Sequence, residues 1–240
     1  PVLSFQYHPT RSGKVPLSFL DDYQGYVQTD AYSGYDALGR QKGIELVGCW
    51  AHARRNFVKV INAKSGKKKK GVADKAINTI AKLYRIEKQA RAKNLSPEEI
   101  YRVRQEKAKP ILEKFHSWLL LKVDKIPPKS LLGKAVNYTL SNWEQLIRYI
   151  DDGRLRPDNN LAENAIRPFV IGRKNWIFSG SPNGAKASAA LYSLIETAKA
   201  NGLQPYEYLR YLLEKLPHAE TQTDYKQLLP QNIDPAKLKL

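Results

Sequence analysis

Asp158-Asn159-Asn160-Leu161-Ala162-Glu163-Asn164-Ala165-Ile166-Arg167-Pro168, with Gly172-Arg173-Lys174-Asn175-Trp176 close behind, is the stretch from which the rest of the chain can be read. Asp158 or Asn159 can cap a short helix, Leu161, Ala165 and Ile166 supply its buried side, and Pro168 tends to end it. Glu163 then faces away from the core. A Glu in a first helical turn gains about 0.3–1 kcal/mol from the helix dipole and needs no other role. Arg167 four residues on, with Arg173 and Lys174, turns the reading toward a carboxylate in a cationic surround, which suits a phosphate held beside a metal. One carboxylate cannot hold two hard cations, so a second has to come from elsewhere in the fold.

Asp30 is the candidate. It ends the alternating run Tyr26-Val27-Gln28-Thr29-Asp30, and in α/β folds ligands bind at the carboxyl ends of strands. The same Asp can also simply begin the turn into Ala31-Tyr32-Ser33-Gly34-Tyr35. Together Asp30 and Glu163 suggest part of a two-metal site acting on phosphodiesters. Cys49-Trp50-Ala51-His52 has the spacing of half a zinc site, but the other histidines are His8, His116 and His218 and no second pair follows, so zinc is rejected. At a strand–helix junction His52 either hydrogen-bonds near the site or packs as an ordinary histidine, while Arg54 and Arg55 reach phosphate.

Charge points to the partner. The 240 residues carry 40 Lys+Arg against 23 Asp+Glu, a net +17, and an excess of this size in a folded chain calls for a polyanion, nucleic acid by default. From Lys64 to Lys129 there are 19 basic and 7 acidic residues, so most of the excess lies in one region. Solvation alone would recruit either sign, whereas phosphate neutralisation recruits one. Within that region Lys67-Lys68-Lys69-Lys70 reads equally as a DNA contact or a solvated loop. No apolar run approaches the ~20 residues that span a bilayer and no signal peptide opens the sequence, which predicts a cytoplasmic, nucleoid-associated protein without membrane contact. The single cysteine, Cys49, excludes an internal disulfide and agrees with a reducing compartment.

Strand-like runs occur at 2–7, 26–29 and 44–48, and a helix is predicted from about Trp50 to Ile61. Helical stripes follow, Ile77, Ile80, Ala81, Tyr84 and then Ile111, Leu112, Phe115, Leu119, with Ser96-Pro97-Glu98-Glu99 as a helix start. After the Glu163 helix an aromatic extended segment is expected through Phe178, then helices near 184–200 and 205–215. The expected organisation is the first part of a core over 1–62, a helical insertion over 63–150 that projects with a basic face, the second part of the core over 151–216, and a tail over 217–240. The class is α/β with an insertion. A chain without methionine that opens at Pro1 on an alternating run is expected to begin inside a domain whose earlier strands are missing.

Five stretches, Gly25 to Tyr35, Cys49 to Arg55, Asn159 to Pro168, Gly172-Arg173-Lys174-Asn175-Trp176-Ile177-Phe178-Ser179-Gly180 and Ser193 to Gly202, resemble the insertion sequence 66 family of bacterial transposases, and the likeness runs from about residue 2 to 215. The resemblance implies an RNase H-like catalytic core of the DDE type, two Mg²⁺ ions for which Mn²⁺ can substitute, and DNA strand cleavage and transfer at element ends. By position Asp30 resembles the second acid of the triad and Glu163 the third, 133 residues apart with room for the insertion. Cys49 and His52 resemble the C-x-x-H signature between those acids. The first acid, in an Asp-Glu-Thr strand in the family, has no counterpart here and is expected before Pro1, in a longer protein or in a decayed element. The implied partners are element-end and target DNA, further copies of the chain on that DNA, and accessory element-encoded proteins. Trp176 or Phe178 could stack on a splayed base, though core packing is the commoner fate of such rings. A non-catalytic DNA-binding remnant and another metal-dependent RNase H-like nuclease are the rival readings.

Overall fold

The computed structural model describes residues 1–63, 71–176 and 179–238, with the side chains of 173–176 and 237 left aside. The chain divides into two compact units, Ser12–Asn160 and Pro1–Arg11 with Leu161–Leu240. The described part is mostly helical with one small parallel sheet, an architecture compatible with α/β.

In the larger unit helix α1 (Lys14–Phe19) precedes strands β1 (Gly25–Gln28) and β2 (Ile44–Val47), which pair in parallel with Gly25 opposite Ile44 and Gln28 opposite Val47. Single 3-10 turns at Ser33–Tyr35 and Leu38–Arg40 make the crossover. Alternation then splits β2 between two cores. Ile44 and Leu46 pack with Leu38, Leu17 and Leu20, whereas Val47 joins the main cluster. Gly48 leaves the strand so close to α7 (Trp143–Ile147) that an added Cβ would lie 3.2 Å from backbone atoms of Gln145 and Leu146, and its N–H donates to the Gln145 carbonyl at 2.8 Å.

Helix α2 (Trp50–Asn62) follows, then α3 (Val72–Ala92), α4 (Pro97–Val103), a π-helical segment Arg104–Ala108, α5 (Lys109–Val123) and α6 (Leu131–Ser141). The start of α4 is the predicted capping box: Ser96 Oγ accepts from the Glu99 N–H and Glu99 accepts from the Ser96 N–H at 2.7 Å. Rather than projecting from the strands, this block shares one core with them. Val47, Trp50 and Phe57 pack with Ile80 and Leu83 of α3, Phe115 of α5 and Val136 of α6. Trp50 meets Trp143 edge-on at 5.8 Å and donates its indole N–H to the Leu146 carbonyl at 2.7 Å, so its buried nitrogen is satisfied.

The basic reading of the block also needs one correction. Lys82, Arg85, Lys88 and Arg91 are exposed on α3, but Arg104 is 2% exposed. Its five N–H donors are all used: two on Glu87, at 2.9 and 2.7 Å, and three on the carbonyls of Tyr149, Asp152 and Leu155. A guanidinium can be buried on such terms because no donor is left unpaired. This clasp ties the π-helical segment to the chain returning toward the strand ends, where Gln28 donates to the Arg156 carbonyl and the Trp50 N–H to that of Pro157.

In the smaller unit α8 (Asn160–Trp176), α9 (Pro182–Ala200), α10 (Pro205–Lys215) and α11 (Gln222–Gln227) carry the chain. Two expectations fail in α8. It continues through Pro168, which forfeits one backbone hydrogen bond, and Phe169 just beyond lies against Phe5 at 6.2 Å and Tyr192 at 5.0 Å. Helix therefore reaches Trp176, where an extended segment was expected. Leu161 and Ile166, assigned to its buried side, are 57% and 45% exposed. Residues 2–7, expected as a strand, form none among the described residues. Thr197 and Ser193 of α9 exchange hydrogen bonds with the backbone of Leu3 and Phe5, and Asn201 donates to the Pro1 carbonyl. The spacing explains the fit, since four helical residues rise about 6 Å and two extended residues about 6.6 Å. A second core of Ala198, Leu203, Tyr208, Leu212 and Leu228 closes the unit.

Candidate active site

Asp30 stands half-buried two residues past β1. Its Oδ1 accepts from the Tyr32 N–H at 3.1 Å, and between them Ala31 has φ +60°, a left-handed conformation that a Cβ disfavours. This local turn fixes the carboxylate, and its second oxygen accepts no hydrogen bond among the described residues. Tyr138 of α6 donates to the Asp30 carbonyl at 3.4 Å. Burial, with the neighbouring acidic groups of Cys49 and Asp30, pushes the Tyr138 phenol up to about 12 against the opposing pull of Arg55, so it is a neutral donor. The helical block thus reaches the end of β1 directly.

Cys49 caps α2 from a fully buried position. Burial pushes its thiol up, outweighing the backbone N–H groups of Asn159, His52 and Ala51 that face the sulfur. An apolar, neutral thiol here packs rather than reacts. His52 is half-buried in the first turn of α2, and Arg54 and Arg55 are exposed two and three residues on. Asp158 is 9% exposed and its Oδ1 accepts from the Asn160 N–H at 3.2 Å, so it shapes the entry to α8 as expected of a cap residue.

The larger unit carries Asp30, Cys49, His52, Arg54 and Arg55, and of these Asp30, Cys49 and Arg55 all lie near Tyr138. Glu163, half-buried in the first turn of α8, and Arg167, exposed one turn later, belong to the smaller unit. Arg173, Lys174 and Trp176 are in α8 by backbone, their side chains outside the described residues, as are Lys67, Lys68, Lys69 and Lys70. Among the described residues no three His, Cys, Asp or Glu side chains form a group able to hold a metal. None of the described helices is long and apolar enough to cross a membrane. Sequence reasoning missed Tyr138 and Tyr84, because each reads as one more apolar position on a helical stripe.

Asp30 just past a strand end and, further along, a helix carrying Arg54 and Arg55 lie in one strongly basic chain. The family comparison makes the class specific. Residues 1–187 match the family model described as "Transposase IS66 family" and residues 193–231 match "IS66 C-terminal element". The chain belongs to the IS66 transposase family. Three relatives from Sinorhizobium fredii (strain NBRC 101917 / NGR234) are similar along nearly all of it: the uncharacterized protein y4jD, 32% identical over 97% of this chain and 46% of its own length, y4qI, 31% identical over 98% and 44%, and y4hP, 32% identical over 90% and 41%. The chain thus spans less than half the length of the curated relatives it matches. No solved structure matches it.

Proposed function

We propose that this chain is part of the catalytic region of a DDE-type DNA transposase with an RNase H-like core, cutting and joining DNA strands at insertion-sequence ends. The observation that supports this best is family membership over residues 1–187, taken with a turn-fixed Asp30 at the end of β1. Asp30 and Glu163 are proposed as two acids of the site, and the relatives, more than twice as long as the part matched here, have room for a third. Carboxylate oxygens are the donors a hard cation prefers, and the uncommitted oxygen of Asp30 fits Mg²⁺, with Mn²⁺ as a substitute. When bound, such a cation pair supplies Lewis-acid activation of the attacking hydroxyl and of the leaving oxygen. The chain's own residues do the rest. Arg54 and Arg55, with Arg167, bind backbone phosphates, Tyr138 steadies the backbone that carries Asp30, and His52 supports the junction between β2 and α2.

The test is strand transfer of a labelled element end into plasmid DNA with Mg²⁺ or Mn²⁺. The chain alone should bind DNA and join none. A hybrid carrying the upstream half of y4jD before residue 1 should join DNA, and Glu163→Gln in that hybrid should lower joining at least a hundredfold, about 2.7 kcal/mol of barrier. Joining that survives Glu163→Gln would assign the site to the wrong residues. Binding without joining in every form would favour the DNA-binding remnant.

A further inference from the structure

Between α2 and α3 lies an open cavity of about 540 Å³, within the roughly 300–1,000 Å³ of small-ligand clefts. Ala51 and Val58 of α2 and Ala81 of α3 give it small apolar walls. Arg54 and Arg55 stand at its side, one turn from each wall residue of α2, and among the described residues no carboxylate pairs with Arg54. Tyr84 and Asn160 add a phenol and an amide. The Tyr84 hydroxyl is buried and ends in no hydrogen bond of good geometry, although the Asp158 carboxylate is its neighbour. Burial first, and that negative charge second, drive its pKa far up, so it remains a proton donor.

This combination is poorly suited to a duplex backbone. A duplex presents phosphates to the arginines and nothing to the apolar walls or to the buried phenol. It also differs from an ordinary core gap, which carries no cations. One unpaired nucleotide satisfies all three features: its phosphate meets Arg54 and Arg55, its base covers Ala51, Val58 and Ala81, and a base-edge acceptor meets the Tyr84 hydroxyl or the Asn160 amide.

We propose that the cleft between α2 and α3 receives a single unpaired nucleotide of a DNA end. The proposal rests on the transposase reading and names a subsite of it. Ala81 is exposed, so enlarging it fills the cleft without disturbing the core.

The experiment is fluorescence anisotropy of the 240-residue chain at fixed salt with a labelled hairpin duplex in three forms: blunt, with a one-nucleotide overhang, and with an abasic overhang. The overhang should bind about tenfold tighter than the blunt end, a factor typical of one base held on a protein platform, and the abasic form should bind like the blunt one. Ala81→Phe should remove the preference while leaving blunt-end affinity unchanged. Tyr84→Phe, which keeps the ring, should reduce the overhang preference severalfold, and thermal melting of both variants confirms that they fold. Equal binding of blunt and overhang DNA by the parent chain overturns the cleft proposal and leaves the transposase reading standing. So does an Ala81→Phe variant that keeps the preference. Binding to none of the three DNAs overturns both.

Discussion

The two compact units hold their candidate acids in different ways. In the larger one Asp30 rides on a sheet backed by Trp50, Phe57, Phe115 and Trp143, and the return segment is locked by a guanidinium with every donor used. In the smaller one Glu163 begins a helix whose Leu161, Ile166, Val170 and Ile171 are all exposed and whose visible anchor is one aromatic cluster around Phe169. Apolar burial and a satisfied ion pair hold the larger unit. The smaller depends more on single side chains and on a polar ladder.

This contrast predicts a graded set of effects. Arg104→Met should be the most damaging, because it strands Glu87 and three carbonyls in the core. A loss of about 3–5 kcal/mol is expected in urea denaturation followed by tryptophan fluorescence. Arg104→Lys should recover little of it, since a lysine cannot reproduce the five-donor fork. A cost below ~1 kcal/mol would show that the clasp does not hold the larger unit together.

Phe169→Ala should cost less, about 1–3 kcal/mol, because the ring is only half-buried. Hydrogen exchange should place its effect in α8 and residues 1–7 and leave α2 and α3 protected. Faster exchange throughout would mean that the two units unfold as one, and the contrast would collapse.

Replacing Ser193 and Thr197 together by Ala should release residues 1–5 from α9. Each hydroxyl contributes about 0.5–1.5 kcal/mol, so exchange at Leu3 and Phe5 should accelerate by one to two orders of magnitude while the global midpoint hardly moves. Unchanged exchange at Leu3 would show the ladder to be incidental.

The smallest effect is electrostatic. Hydrogen bonds from the Arg154 side chain and backbone hold the Asp152 carboxyl down at about 2 against an ordinary 3.8. A depressed folded value means that the unfolded chain takes up the proton first, so this stability is complete above the unfolded value and is lost as pH falls from 3.8 through about 2. Because Arg154 is largely exposed, Asp152→Asn should cost only about 0.2–1 kcal/mol at pH 7 and a small part of that at pH 2. A loss that persists in full at pH 2 would point to the local turn rather than the charge.

Much of this was legible along the chain because its causes are local. The alternation of Tyr26 to Thr29 and the run from Ile44 gave β1 and β2 almost to the residue, and the Ser96 capping box was readable from residue type and spacing. The local settings of Asp30, just past a strand, and of Glu163, in a first helical turn, were legible too, since such positions are defined within a few residues. What failed was decided by distant partners. Arg104 counted as surface charge until Glu87, 17 residues back, and Tyr149, 45 residues on, surrounded it. Pro168 looked like a stop signal, yet it sits inside a helix whose next residue packs against Phe5, far upstream. Ala81 belonged to an apolar stripe, yet it is exposed and lines the cavity between α2 and α3.

The sequence by itself determined most of the helices, the two strands, the net charge and the family, because propensity, capping, charge and motif spacing act over one or two turns. Only the tertiary structure decided that the helical block shares the core of the strands, that residues 2–7 lie on a helix instead of a sheet, and that Arg54 and Tyr84 face one cleft. Those outcomes depend on which surfaces meet in space. A side chain's neighbour across a core is set by the summed packing of every element between them, and no spacing along the chain encodes it.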